Sequence, residues 1–301
     1  MIKVVTTLAS ILCLALGALG LGACSPLALF DAFGPRDGGG RLAVKDAAYG
    51  ANARQRLDVF TPVAATGDAP VLVFFYGGSW KSGSKEDYAF AAQALAAQGF
   101  VTVLPDYRLY PEVRFPDFLD DGAAAIAWVR DHIAAYGGDP RKIVLAGHSA
   151  GAYNAVMLGL DPRYLRRAGV DPHAIRAVAG LSGPYDFLPF DQATTIDVFG
   201  AAPEPAATQP VTFAGPHSPP AFLATGDRDT TVRPRNTQRL AEALRAARVP
   251  VQERVYAGLD HADTLLALSV TFRAKAPELA EMSAFLRQHV GERRMTRVDL
   301  R

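Results

Sequence analysis

The sequence predicts an α/β fold in which a mostly parallel central sheet is covered by helices on both faces. Three observations predict it. Short, uninterrupted apolar runs alternate with longer segments of helical period, as buried parallel strands and their crossover helices do. The pentapeptide Gly147-His148-Ser149-Ala150-Gly151 sits where one such run meets the next helical segment. The alternation is broken by a proline-rich stretch from Pro184 to Pro220, which reads as an insertion forming a cap or lid over one edge of the sheet.

Each strand is justified by its residues. Leu57-Asp58-Val59-Phe60 is short and alternating, whereas Val71 to Phe75 and Val101 to Leu104 are continuous and largely β-branched or aromatic. Ile143 to Ala146, Ala177 to Leu181, Ala221 to Ala224 and Gln252 to Tyr256 complete the expected sheet. Helices are expected over Lys85 to Ala97, Phe115 to Ala135, Ala150 to Leu160, Arg235 to Ala247 and Pro277 to His289. The loops that leave the C-terminal ends of parallel strands fall on one edge, where such sheets bind ligands.

Composition bounds the rest. The chain has 301 residues, half of them apolar and a fifth charged, enough for a substantial core. A formal net charge of +1 and the lack of basic clusters beyond Arg293-Arg294 speak against nucleic acid as a partner.

The N-terminus has a different character. After Met1-Ile2-Lys3 an uncharged apolar run extends from Val4 to Ala23 and ends in Leu21-Gly22-Ala23-Cys24, which resembles the lipobox of exported bacterial lipoproteins. Residues 1–23 are therefore expected to be a signal peptide, Cys24 the lipidated residue, and 24–40, with its glycines and prolines, a flexible tether before a domain over 41–301. The two cysteines, Cys13 and Cys24, leave one after cleavage, so no intrachain disulfide is possible. Ser25 after the cysteine resembles the usual sorting signal for the outer membrane. An uncleaved spanning helix and an ordinary signal peptide are the alternatives.

The pentapeptide carries the chemistry. A serine on a sharp turn between strand and helix needs small neighbours two residues before and after it, which Gly147 and Gly151 supply. The turn lifts the hydroxyl clear of the sheet and aims the Ala150 amide at the helix N-terminus, where negative charge is stabilised. Acyl transfer through a serine ester is the implied reaction; the alternative is a glycine turn in which Ser149 only caps the helix. A serine nucleophile requires a base and an acid that orients it, and in this architecture they follow in the order serine, acid, histidine. That order removes His132 and His148 and disfavours His173 and His217. His289 is expected on the solvent face of the last helix. His261, in Gly258-Leu259-Asp260-His261-Ala262-Asp263 after the last strand, is the expected base. Asp229 is preferred as the acid over Asp227, which lies in the tight turn itself and has an ordinary turn-forming role. The oxyanion donors are expected from Ala150 and from the loop Tyr76-Gly77-Gly78-Ser79-Trp80 after an early strand.

Here a family resemblance becomes specific. Val71 to Leu158 resembles the α/β-hydrolase esterases of the hormone-sensitive-lipase and bacterial feruloyl-esterase-like type, and the kynurenine formamidases, whose loop reads His-Gly-Gly-x-Trp. Asp106-Tyr107-Arg108-Leu109 with Pro111, Phe115-Pro116, and Asp120-Asp121 leading to Ala127-Trp128-Val129 match as well. With Gly226-Asp227-Arg228-Asp229 and His261 the resemblance spans about residues 55 to 290. It implies an α/β-hydrolase fold and an oxyanion hole formed by the amides of Gly78, Ser79 and Ala150. It departs at Tyr76, which stands where the family has histidine and is expected to support the loop by donating one hydrogen bond. Asp106 and Arg108 are expected to form a structural ion pair, and Trp80 either walls the pocket or packs in the core. The expected function is a serine carboxylic-ester hydrolase acting on short-chain or aryl esters, without metal or organic cofactor. An amidase of the arylformamidase type and a non-catalytic binding protein are the rivals. Phe187, Phe190, Phe199 and Phe213 either line the substrate site or form the insertion's own core.

Overall fold

The computed structural model describes residues 34–64 and 67–291, together with Leu27, Phe30 and Asp31. Cys24, Cys13 and the expected signal peptide lie outside the described residues. Among the described residues no helix is long and apolar enough to cross a membrane.

Eight strands form one sheet: β1 (Gly40–Ala48), β2 (Arg56–Pro62), β3 (Ala69–Phe75), β4 (Val101–Pro105), β5 (Gly138–His148), β6 (Ile175–Leu181), β7 (Ala221–Gly226) and β8 (Val251–Tyr256). Their order is β1-β2-β4-β3-β5-β6-β7-β8. β1 pairs antiparallel with β2, and β2 with β4; every other neighbouring pair is parallel. The helices are α1 (Ala89–Ala97), α2 (Asp117–His132), α3 (Ala150–Leu160), α4 (Pro162–Arg167), α5 (Ala193–Phe199), α6 (Arg235–Ala246), α7 (Asp263–Leu266) and α8 (Glu278–Gly291). α1 packs on β1, β2 and β4 and α8 on β5, β6 and β7, while α2 packs against α3 and α4. Arg287 of α8 donates to the Gln98 carbonyl at the end of α1, which places these two helices side by side. The parallel strands are apolar throughout because both of their faces are covered: Val71 to Phe75 and Ile143 to Ala146 are fully buried. This is the α/β-hydrolase fold.

Three local differences from the sequence reading have physical causes. β1 was not expected. It is an edge strand, mostly exposed, with a left-handed Asp46 at φ 58° that shifts its register, so its residues carry no apolar alternation. Asp46 is held there by its amide donating to Asp58 Oδ1 at 2.8 Å. The first helix does not begin at Lys85, whose ammonium is buried among Asp46, Asp58 and Glu86. A 3-10 turn over Glu86–Tyr88 intervenes. Finally, His289 is 6% exposed and packs its ring on Phe285 at 4.3 Å, so it faces the core rather than solvent.

The proline-rich insertion holds α5 and two 3-10 turns, Pro205–Thr208 and Pro210–Phe213. It is tied to the sheet's C-terminal edge by Tyr153 Oη donating to the Thr208 carbonyl at 2.7 Å and by the Phe115 amide donating to Val198 at 3.0 Å. Residues of the insertion line one cavity together with the loops after β3, β5 and β7.

Candidate active site

The turn after β5 is as sharp as its glycines predict. Ser149 has φ 56° and ψ −124°, a conformation that L-residues adopt only where neighbours enforce it. A Cβ on Gly147 would lie 2.3 Å from the Gly151 carbonyl oxygen, and one on Gly151 2.0 Å from that of Phe75, so both positions admit only glycine. The turn is anchored by the Ser149 amide donating to Leu181 at 2.9 Å. Ala150 then opens α3, with its amide at the positive end of the helix dipole.

The structure brings Ser149, Asp229 and His261 together. Ser149 Oγ lies 2.9 Å from His261 Nε2, and His261 Nδ1 lies 2.8 Å from Asp229 Oδ2. An ionised carboxylate can only accept, so Nδ1 carries the hydrogen and Nε2 is free to accept the serine proton. Asp229 Oδ1 is itself held by the amides of Thr231 and Val232, at 3.0 and 2.8 Å. Burial pushes the Asp229 carboxyl upward, but the bond from His261 and its neighbours' dipoles outweigh this and hold it below the usual carboxylate value. Asp227 points elsewhere, its Oδ1 accepting from the Gly258 amide at 2.7 Å and so tying the loop of His261 to that of Asp229.

The loop after β3 is strained in the same way. Gly78, Ser79 and Trp80 have φ values of 122°, 56° and 57°, three consecutive residues of positive φ. The bend is closed by Lys81 and Ser82 donating to the Gly78 carbonyl, both at 3.0 Å, and by Tyr110 donating to Trp80 at 2.8 Å. Ser79, Trp80, Ser149 and Ala150 line one cavity of about 520 Å³. Gly78 forms the bend beside it, where a Cβ would meet Ser82.

Tyr76 supports this loop, but not as expected. Both of its hydroxyl's hydrogen-bond partners donate to it: Arg54 Nη2 at 2.7 Å and, at 3.5 Å, the Tyr107 amide. Its ring stacks on Tyr107 at 4.6 Å, and the Tyr107 hydroxyl returns a bond to the Tyr76 carbonyl at 2.8 Å. The expected Asp106–Arg108 pair does not form. Arg108 makes a fork onto Asp121 at 2.8–3.1 Å, while Asp106 accepts from the Lys85 amide at 2.9 Å and lies 3.7 Å from Arg54. Burial lifts the Asp106 carboxyl to about 6.

Trp80 takes both of its expected roles. It lines the cavity, yet is 4% exposed, donates Nε1 to Asn154 at 3.0 Å and meets Tyr153 and Phe199 edge-on. Of the four phenylalanines only Phe187 lines the cavity. Phe199 is fully buried behind it among Phe115, Phe118, Phe187 and Phe190, and Phe213 sits apart under Arg163. Sequence reasoning did not single out Ser182 and Thr264, nor His148 beyond excluding it as a base; all three are buried, His148 and Thr264 against the His261 carbonyl and Ser182 against Thr264. His148 lies inside the motif, but its partner, the His261 carbonyl, is 113 residues away in the chain, and no local pattern announces it.

The chain matches the BD-FAE family over residues 57–244, a span that contains the Gly-Gly loop, Ser149 and Asp229 and stops short of His261. Esterase LipC of Mycobacterium tuberculosis is 33% identical over 218 residues, covering 66% of this chain and 54% of that protein. A probable isoprenylcysteine alpha-carbonyl methylesterase of Oryza sativa is 37% identical over 145 residues, 46% of this chain and 34% of that one. The chain thus spans between about a third and a half of these relatives' lengths. A thermostable esterase from Pseudomonas putida has the same fold, with TM-score 0.72, 24% identity and coverage of 92% of this chain and 96% of that one. With that fold in place and more than half of the sequence matched, the chain belongs to the BD-FAE family.

Proposed function

We propose that the protein is a serine hydrolase of carboxylic esters. What carries this reading is the continuous hydrogen-bonded line from Ser149 Oγ through His261 to Asp229, at 2.9 and 2.8 Å. In the proposed reaction His261 Nε2 takes the Ser149 proton as Oγ attacks the ester carbonyl. The tetrahedral oxyanion is held by the amides of Ala150, Ser79 and Gly78. His261 returns its proton to the leaving alcohol, an acyl-serine forms, and water repeats the steps to release the acid. Asp229 keeps Nδ1 protonated and stabilises the imidazolium. The names of the relatives, esterase and methylesterase, support an ester rather than an amide.

Short-chain or aryl acyl groups are the proposed substrates. Supporting this, the apolar wall of the cavity is limited to Trp80, Ala150, Phe187, Leu188, two prolines and Val232, and the remainder is serine, threonine, asparagine, glutamine, aspartate and arginine. A long alkyl chain would leave apolar surface against those polar groups. The expected N-terminal processing completes the proposal: cleavage after Ala23, lipid on Cys24, and an enzyme tethered to the cell envelope, on the outer membrane by the sorting residue Ser25.

The test is twofold. A fluorophosphonate should modify the purified protein at Ser149 and nowhere in a Ser149→Ala variant, as read by peptide mass spectrometry. p-Nitrophenyl esters of rising chain length should give the highest kcat/KM at two to four carbons; a maximum at long chains would reverse the substrate assignment. Radiolabelled palmitate incorporated in cells by the wild type but not by Cys24→Ser would test the anchor.

A further inference from the structure

The proposed chemistry uses both ring nitrogens of His261 but leaves open what fixes its main chain. Its carbonyl oxygen accepts two hydrogen bonds from buried side chains on separate elements. His148, the residue before the nucleophile, places Nε2 at 2.9 Å from that oxygen, and Thr264 of α7 donates its hydroxyl at 3.1 Å. Ser182, at the end of β6, stands 3.0 Å from the Thr264 hydroxyl. A carbonyl can only accept, so His148 Nε2 carries a hydrogen and Nδ1 is bare, facing the Tyr88 hydroxyl at a longer 3.5 Å. The two imidazoles are 4.9 Å apart. A cation on His148 would oppose proton uptake by His261, and burial prevents it by pushing the His148 imidazolium down to about 3.

The base loop is tied to the acid loop by Asp227 with Gly258 and by the Arg228 amide donating to Leu259 at 3.0 Å. His148 ties it to the nucleophile turn. We propose that His148 is a positioning residue: as a buried, neutral donor it fixes the His261 main chain relative to Ser149, with Thr264 as the second donor. The role rests on the serine-hydrolase reading above. A displacement of even an ångström in a catalytic group costs up to about a hundredfold in rate, so the expected effect lies in turnover and not in substrate affinity.

The experiment compares full-chain His148→Leu, His148→Gln, Thr264→Val and Ser149→Ala with the wild type, using p-nitrophenyl acetate and thermal unfolding. H148L is expected to lose tenfold or more in kcat with KM within about twofold, the protein remaining folded at the assay temperature with a modestly lowered unfolding midpoint. H148Q, whose side-chain NH₂ can reach the same carbonyl, is expected to recover to within about threefold of wild type. Wild-type kcat in H148L, or a glutamine variant as impaired as the leucine one, overturns the proposal. If H148L does not fold, T264V is read in the same assay, and an unchanged kcat there overturns it equally. An active S149A would sink the serine mechanism itself; an inactive S149A beside a full-rate H148L would sink only the positioning role.

Discussion

Replacing Asp229 and Asp227 by asparagine, one at a time, separates an orienting carboxylate from a turn-forming one two residues away. In Asp229→Asn the amides of Thr231 and Val232 still require an oxygen at the Oδ1 position, 3.0 and 2.8 Å away. The new NH₂ is thereby turned towards His261 Nδ1, where the carboxylate oxygen stood at 2.8 Å. Two donors cannot share that line, so the imidazole is driven to the tautomer with hydrogen on Nε2, which cannot accept the Ser149 proton. Loss of the correct tautomer in serine triads costs about 10⁴ in kcat, or about 5.5 kcal/mol of transition-state stabilisation. In Asp227→Asn the side-chain oxygen still accepts from Gly258, and the loss is expected to stay below about threefold. The assay is kcat/KM on p-nitrophenyl acetate with both variants confirmed folded by circular dichroism. Losses within tenfold of each other would refute the assignment of Asp229. The pair also differs with pH. The Asp229 carboxyl is held below its usual value in the fold, so its ionised form contributes stability above about pH 4 that is lost as pH falls through the lowered folded value. Asp229→Asn should remove that part of the acid dependence of the urea midpoint.

Three further outcomes follow from local geometry. Gly151→Ala places a methyl 2.0 Å from the Phe75 carbonyl oxygen, so the variant should be insoluble or inactive, checked by soluble yield and fluorophosphonate labelling. Tyr76→Phe strips the half-exposed Arg54 of an acceptor at 2.7 Å and should cost about 1–2 kcal/mol in urea unfolding, the lower part of the range for bonds to a charged group. The Asp139 carboxyl is held down to about 2, chiefly by Arg141 and also by Lys142. Its contribution is present above about pH 4 and is lost towards pH 2. The stability gap between wild type and Asp139→Asn should therefore shrink over that interval.

What the sequence made legible is what is local or strictly ordered. Gly147 and Gly151 can be read because only glycine survives a 2.3 or 2.0 Å approach to backbone. That Asp229 and His261 meet Ser149 can be read because the chain order of the loops restricts the candidates. β1 was illegible because an edge strand buries little and carries no apolar alternation, and its register turns on Asp46, whose support at Asp58 lies on the next strand. His289 was misplaced because the helical pattern reports which residues share a face but not how deep that face lies.

The polar framework under the loops was harder to read, and Tyr76 shows why. Reasoning from the side chain alone assigns a phenol a donor role, since a buried hydroxyl must place its hydrogen somewhere. Its surroundings decide otherwise: Arg54, from the turn before β2, directs Nη2 at the oxygen at 2.7 Å and Nε at the Tyr107 carbonyl at 3.0 Å. The same guanidinium donates to the Gly83 carbonyl at 2.8 Å, in the segment that closes the strained Gly78–Trp80 bend. One cation thus spans the chain before β2, the loop after β3 and the segment after β4. Tyr76 offers Arg54 an acceptor and Tyr107 a flat ring, and a phenol supplies both. Asp106, raised to about 6 by burial, lies near the same guanidinium at 3.7 Å, so the Arg54 charge is shared between a carboxylate and a phenol rather than consumed by a single ion pair. Such sharing depends on groups brought together from three segments, and no local pattern in any of them announces the others.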